Sequence, residues 1–480
     1  MSTHQIDYKK KLYIILCLSV GILALSGCSV NDINKVLGLD AFSSEDLDAT
    51  DDSSIVIENS DENVPGISVE DMPVITINDG EEAVILQDVE EEESAPVYEE
   101  IFDPEGKNYS AMCANPDEIT LAFVGDIGFA EGYATINVYR QQPNGIDDCF
   151  DAEVLDIMRG VDIMMANNEF PYSYRGTPTP NKTYTFRADP KDVVLMNQLG
   201  VDIVSLANNH AYDYGPDALL DTLDTLTGAK IAYVGAGKNF DEASHPAYFH
   251  INGKVISYVS ATQIERYGNP DTKEATSDSP GVLRTLDPAK TVASIKEAEE
   301  NSDFTVVYVH WGSESTDLVE QSQRDLAKAY VDAGADLVIG DHSHCLQGID
   351  YVGGVPVFYS LGNYWFNSKT LDTCIVKAVL DNECNINEIE FIPCIQTGSK
   401  VRIGNGDNYD RILEYMRGIS NYAAIDSNGK ITEDSVNHNI QNGQNTSPAK
   451  KAAPVSEPAA EEVFDPFVLA PVEDVQEEVQ

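Results

Sequence analysis

The chain has 480 residues and a formal charge of −51, spread unevenly along it. That length admits two or three domains. No basic cluster lies beyond the first residues, which argues against a nucleic-acid-binding surface, and none of the eight cysteines forms a CxxC pair, which argues against a zinc ribbon.

In chain order, the N-terminus reads as a targeting signal. Lys9, Lys10 and Lys11 precede the apolar run 12–25, and Leu25-Ser26-Gly27-Cys28 follows. The order is basic, apolar, small residues, cut site. The tetrapeptide is similar to a bacterial lipobox, in which Cys28 is lipidated and becomes the first mature residue. The other reading is an uncleaved membrane anchor with Cys28 as an ordinary thiol. Either reading puts the body on the extracellular face of the cytoplasmic membrane. Residues 29–115 then form an acidic stretch in which Lys35 and Lys107 are the basic residues and Glu90 to Glu93 run unbroken. Such a stretch repels itself and lacks apolar mass, so it reads as a disordered tether.

The folded body is expected over 116–418. Helical patterns fall at 152–159, 190–199, 217–226, 288–299 and 319–333. Strands are expected at 119–124, 161–166, 183–187, 201–207, 231–234, 304–309, 336–340 and 355–360. A hairpin is expected over 247–260 with Asn252-Gly253 as its turn, and a second over 375–392. Cys374 and Cys394 flank that second hairpin and could face each other across it; free buried thiols are the alternative. The tail from 419 to 480 is polar, then rich in Ala, Pro and Glu, and reads as disordered. Parallel units followed by late hairpins predict an α/β fold of stacked sheets with helices outside.

One pattern recurs. The stretch 201–215, VDIVSLANNHAYDYG, runs from a short apolar strand into Asn208-Asn209-His210. The stretches 155–169 and 330–344 repeat it: a helix tail, a Gly suited to a left-handed stop (Gly160, Gly200, Gly334), Val-Asp or Ala-Asp, a strand, then polar residues. Two more strands end on Asp126 and on His310. Five strand ends thus present Asp126, Glu169, Asn209 with His210, His310, and His342 with His344. Open α/β sheets bind ligands beyond the carboxyl ends of their strands. Oxygen and imidazole donors without thiolates suit Mn, Fe or Zn, so one or two divalent metal ions are expected there. His342 and His344 would face one way on an extended strand, or grip adjacent ions from a loop.

These motifs resemble a known family. Val124-Gly125-Asp126, Ala166 to Glu169, Lys182 to Pro190, Asn208-Asn209-His210 with Asp213 and Gly215, Val309 to Gly312, Gly340 to His344 and Tyr359 to Asn363 are similar to those of CapA-type capsule-synthesis proteins. That family is a branch of the metallophosphatase superfamily tied to poly-γ-glutamate capsules. The resemblance covers about 118–367. It implies an α/β/β/α sandwich in which Asp126, Glu169, Asn209, His310, His342 and His344 hold the metal and His210 passes a proton to the leaving oxygen. Lys182 and Arg187 would either neutralise an anionic substrate or lie solvated on the surface. One departure stands out: the superfamily commonly carries Asp-x-His at the first motif, and here the third place is Gly128. Asp341 stands where many members have His, as an extra acidic ligand or as a partner to an imidazole.

Three functions follow from this reading. The first is a cell-surface, metal-dependent hydrolase or transferase of capsule assembly, acting on a phosphoester or on the γ-amide of the polymer. The second is a non-catalytic accessory protein that binds an anionic polymer beside a membrane synthase. The third is a tethered scaffold with a vestigial site, which the intact Asn209-His210 and His342/His344 pairs argue against.

Overall fold

A computed structural model of the chain describes residues 100–264 and 272–435. The signal with Cys28, the acidic stretch as far as residue 99 and the tail after 435 lie outside the described residues. No helix among the described residues is long and apolar enough to cross a membrane.

Two eight-stranded sheets carry the fold. In the first, Ile119–Ile127, Ile163–Asn168, Ile203–Ser205 and Ala232–Val234 run parallel in that order. The antiparallel strands Leu371–Leu380, Ile386–Thr397 and Lys400–Ile403 extend its other side, and Asn363–Trp365 pairs parallel with Ile119–Ile127. In the second, Lys254–Thr262, Phe304–His310, Leu337–Asp341 and Val355–Phe358 run parallel.

Alternation along these strands sorts side chains to two faces. Leu121, Phe123, Ile163 and Met165 of the first sheet pack on Tyr258, Val306, Tyr308 and Ile339 of the second. Ala122, Val124, Met164 and Ala166 face outward onto the helices Ala152–Gly160, Val194–Leu199 and Pro216–Gly228. Val259, Val307, Val309 and Val338 face the other way, onto the helices Ala289–Glu300 and Gln321–Val331. Strands buried on both faces must read as unbroken apolar runs, which is how they read. The molecule is the α/β/β/α sandwich that the motifs imply.

The repeated Val-Asp and Ala-Asp pairs have a structural cause. Each Asp donates its backbone N–H to the neighbouring strand and accepts that strand's N–H on its carboxylate. Asp162 does so with Thr120, Asp202 with Met164, and Asp336 with Thr305. Asp303 and Val255 repeat the arrangement.

Several expectations need correction. Residues 183–187 form no strand, because the Phe186 N–H goes to the Asp213 carboxylate instead of a ladder, at 2.6 Å. Gly200 and Gly334 are left-handed stops with φ of 79° and 112°. Gly160 is not, because the chain turns extended directly at Val161. All six described cysteines are free. Cys374 lies opposite Pro393, and Cys394 opposite Thr373. That one-residue offset sends the two thiols to opposite faces of the sheet. Order also extends past both expected borders. Phe102–Asp103 and Asn108–Ser110 join the second sheet at its edge, and the helix Asp407–Ile419 is followed by a small hairpin, Ala423–Ile425 with Ile431–Glu433. Asn252 and Gly253 are both left-handed, as a tight hairpin turn requires.

Candidate metal centre

The parallel strands of both sheets finish on one edge, and side chains far apart in sequence meet there. Asp126 is the last residue but one of its strand, Glu169 follows Asn168, and Asn209 stands four residues past Ser205. His310 and Asp341 end adjacent strands as register partners. Asp126, Glu169 and His310 are wholly buried, and Asn209 and His342 nearly so.

His310 is the hub. Its Nε2 lies 2.8 Å from Asn209 Oδ1, 2.9 Å from His342 Nδ1 and 3.6 Å from Glu169 Oε1. Its Nδ1 lies 2.8 Å from Asp341 Oδ1. Asp341 is therefore the imidazole's orienting partner, one of the two roles its position allowed. His344 Nδ1 lies 3.1 Å from Asp126 Oδ2 and 2.8 Å from Asn363 Oδ1. His342 and His344 sit in a loop with φ of 88° and 57°, so the loop arrangement holds and the extended one does not. Left-handed backbone at two non-glycine residues costs on the order of 1–3 kcal/mol each, and such strain gathers at ligand clamps.

Asparagines pin the Asp126 carboxylate. Asn167 donates to Asp126 Oδ1 at 2.9 Å, and Asn208 donates to Asn167 Oδ1 and to the Asn168 carbonyl. On the far side, His210 Nδ1 meets Asp213 Oδ2 at 2.7 Å, and its Nε2 lies 3.9 Å from Glu169 Oε1. Phe186 packs on the His210 ring with centroids 4.2 Å apart.

Burial shapes the ionisation of the cluster. It pushes the His310 imidazole down to about 3, holds His342 well below its ordinary value and lowers His210. It pushes Glu169 and Asp341 well above the usual carboxylate range, and the nearby Asp126 charge adds to both. For Asp126 burial works the other way, but the His344 hydrogen bond holds it below that range. His344 rises to about 9, because the Asp126 and Glu169 carboxylates outweigh its burial.

These residues fit a divalent cation. Both Glu169 oxygens and Asp341 Oδ2 are buried and accept no hydrogen bond among the described residues. A buried carboxylate without a partner is costly, and native proteins rarely leave one. Ligand atoms of Glu169, His310 and His342, of Asp126, Glu169 and His344, and of Asp126, His310 and Asp341 lie within 4.8 Å of one another in each trio. Glu169 belongs to two of these trios and so faces both halves of the centre. Carboxylates, an amide and imidazoles without a thiolate are what Mn, Fe or Zn take.

Lys182 is neither a free substrate cation nor a solvated surface residue. Its side chain is 2% exposed and its ammonium meets Asp213 Oδ1 at 2.5 Å. Arg187 is half-buried, with its guanidinium 4.1 Å over the Tyr214 ring; among the described residues no carboxylate pairs with it. The place of the absent imidazole is filled. A Cβ on Gly128 would meet the Phe366 ring at 2.7 Å. Asn363 ends the motif Tyr359 to Asn363, which carried no site role in sequence, and Phe366 was not found from sequence at all. The short strand Asn363–Trp365 enters the site by pairing beside Asp126, which no spacing announces. His245 and His250 pair elsewhere, with Glu297 and Asn108. A recess of about 390 Å³ opens at His342, lined also by Gln263, Leu286 and Glu314. The Pro178–Pro180 loop lines another of about 380 Å³ with Tyr212 and Tyr214.

Fold and site together define a four-layer α/β protein with a buried candidate metal centre at one sheet edge. The family described as "Bacterial capsule synthesis protein PGA_cap" matches residues 120–368, more than half of the chain. The chain belongs to this family and is a CapA-like protein of capsule biosynthesis. It is 32% identical over 279 residues to the "PGA biosynthesis protein CapA" of Bacillus subtilis, covering 57% of this chain and 70% of that one. It is 30% identical over 286 residues to a "Probable polyglutamine synthesis accessory protein" of Mycobacterium tuberculosis, covering 52% and 75%. A crystal structure of TT1561 of Thermus thermophilus aligns over 55% of this chain and 94% of that one, at 9% identity and a TM-score of 0.32, too slight a likeness to build on.

Proposed function

We propose that this chain is a metal-dependent hydrolase or transferase of poly-γ-glutamate capsule assembly, acting on a phosphoester or on an amide of the polymer. The observation that carries the reading is the Glu169 carboxylate, fully buried and without a hydrogen bond among the described residues, with His310 Nε2 and His210 Nε2 both lying near its Oε1. Asp126, Glu169, Asn209, His310, His342 and His344 are the residues that would hold the ion. A divalent ion there supplies Lewis acidity and charge neutralisation at a phosphoryl or carbonyl oxygen.

The chain's own residues do the rest. Asp213 accepts the His210 Nδ1 proton, which fixes the tautomer and leaves Nε2 as the atom that takes or gives a proton. Lys182 balances the Asp213 charge, and Phe186 keeps water off one face of the ring. Arg187 at the rim supplies the cation for an anionic chain. The lipobox-like Cys28 supports a lipid anchor at the outer face of the cytoplasmic membrane, where a membrane polymer synthase would be the partner. A second reading, a non-catalytic accessory protein that binds the anionic polymer, draws on the accessory name of the mycobacterial relative and on Phe366 filling the place of an imidazole.

The test loads the full chain with Mn²⁺ and assays a generic phosphodiester and poly-γ-glutamate. His210→Ala is expected to lower turnover by about 10²–10⁴-fold with metal content unchanged. Bound metal with no turnover of either substrate by the unaltered protein supports the accessory reading instead.

A further inference from the structure

The donors around the hub divide unequally. On the His342 side, Glu169, Asn209, His310 and His342 converge, two of them imidazoles. On the His344 side stand Asp126, Glu169 and His344. Nothing reaches that side from position 128, where the Phe366 ring leaves no room for a side chain. Yet a further oxygen is already there. Asn363 is 2% exposed, and its Oδ1 lies 2.8 Å from His344 Nδ1. Asp126 Oδ2 lies 3.1 Å from the same nitrogen.

We propose that Asn363 is a metal ligand of this chain, its amide oxygen completing with Asp126, Glu169 and His344 a second cation subsite in place of the imidazole that position 128 lacks. This rests on the metal-centre reading above and refines it.

The backbone is built to put Asn363 there. It pairs in parallel register with Asp126. The Asp126 N–H donates to the Gly362 carbonyl at 3.0 Å. That approach needs a glycine at 125, since a Cβ there would stand 1.9 Å from the Gly362 oxygen. Gly362 itself is left-handed, with φ of 68°, and its neighbour Leu361 donates to the Gly340 carbonyl. The loop before Asn363 is thus held from both sheets. His344 Nδ1 lies between two oxygens, and the ligand atoms of Asp126, Glu169 and His344 lie within 4.8 Å of one another; Asp126, His344, Asn363 and the bare Glu169 carboxylate are the residues that would hold a cation there. Neutral amide oxygens are ordinary ligands of hard divalent ions. The resulting set, two carboxylates, one amide and one imidazole, is harder than its neighbour with two imidazoles. It favours Mn²⁺ over softer ions.

The test is calorimetric titration of Mn²⁺ into the full chain stripped of metal, with metal content read by mass spectrometry. The unaltered protein is expected to show two events of different affinity. Asn363→Leu, close in shape but without the oxygen, is expected to abolish the weaker event and leave the tighter one. Asn363→Asp is expected to strengthen the weaker event by at least about 10-fold, since affinity is set by ligand charge. Two events with unchanged affinities in both variants would overturn the proposal while leaving the metal centre standing. Should Asn363→Leu fail to fold, Asn363→Asp decides alone, and an unshifted weaker event overturns it. No Mn²⁺ uptake by the unaltered protein overturns the proposal together with the reading beneath it.

Discussion

Gly128 and Phe366 show how a missing side chain is taken over by a neighbour. The ring lies where a Cβ on residue 128 would go, and it also packs edge-on against Phe186. Restoring the imidazole by Gly128→His alone is therefore expected to destabilise the chain by about 1–3 kcal/mol through overpacking. Combining it with Phe366→Ala should return part of the loss, a coupling on the order of 1 kcal/mol in a double-mutant cycle by chemical denaturation. Lys182 and Asp213 make a second residue-scale case. Both side chains are essentially out of solvent. Breaking such a pair leaves one buried charge uncompensated, so Asp213→Asn should cost about 3–5 kcal/mol. Lys182→Met in the same chain should recover part of that; equal melting of the single and double variants would show that the pair is not coupled. The pairing was not readable from sequence, because Asp213 lies 31 residues from Lys182 and beside a more conspicuous histidine. Asp126, Glu169, Asn209, His310 and His342 were readable, because each follows an apolar strand whose end the sheet must place at one edge. Asn363 was visible only as the end of a motif; its place in the site was not, since its strand is three residues long and joins the sheet only by pairing.

At the scale of elements, the aspartates that open the strands tie each strand to its neighbour. Their pattern was legible as a repeat of Val-Asp and Ala-Asp; their partners were not, because those depend on which strands adjoin. Burial pushes the Asp202 carboxyl up to about 7, against the hydrogen bond from the Met164 N–H. In the unfolded chain the same group titrates near ~3.9. Between those values the folded protein keeps a proton that the unfolded one has lost, so this residue's contribution to stability falls as pH rises across that window and is level above it. Asp202→Asn keeps an acceptor for Met164 and removes the titration. The variant should lose this fall in stability between about pH 4 and pH 7, a flattening of up to about 4 kcal/mol. Parallel pH dependences of unaltered and variant protein in urea denaturation would contradict this. The second hairpin marks the limit of sequence reading at this scale. Its strands were visible, but the one-residue offset between Cys374 and Cys394 was not, and that offset decides whether two thiols can meet.

For the whole molecule, two sheets pressed face to face bring the buried polar groups of one edge into a single cluster, at a cost that a bound ion would offset. An ion that binds only the folded state stabilises it by about 2.7 kcal/mol at a concentration 100 times its dissociation constant. The melting temperature should therefore rise with Mn²⁺ and fall with a chelator. A melting temperature indifferent to both would mean that the cluster holds no ion. The acidic flanks bear on partners more than on folding. At a formal charge of −51 the chain repels a polyanion, but screening beyond roughly 8 Å confines that repulsion to close approach. The cations near the site then set where such a polymer is held, and Arg187, stacked on Tyr214, pairs with no carboxylate among the described residues.

The most direct measurement is an anomalous-scattering map from crystals of the protein grown with Mn²⁺. The account predicts a peak within about 2.2 Å of ligand atoms from Glu169, Asn209, His310 and His342, on the edge where the parallel strands of both sheets end. Well-ordered crystals with no peak among these side chains, or with manganese bound only elsewhere, would contradict it.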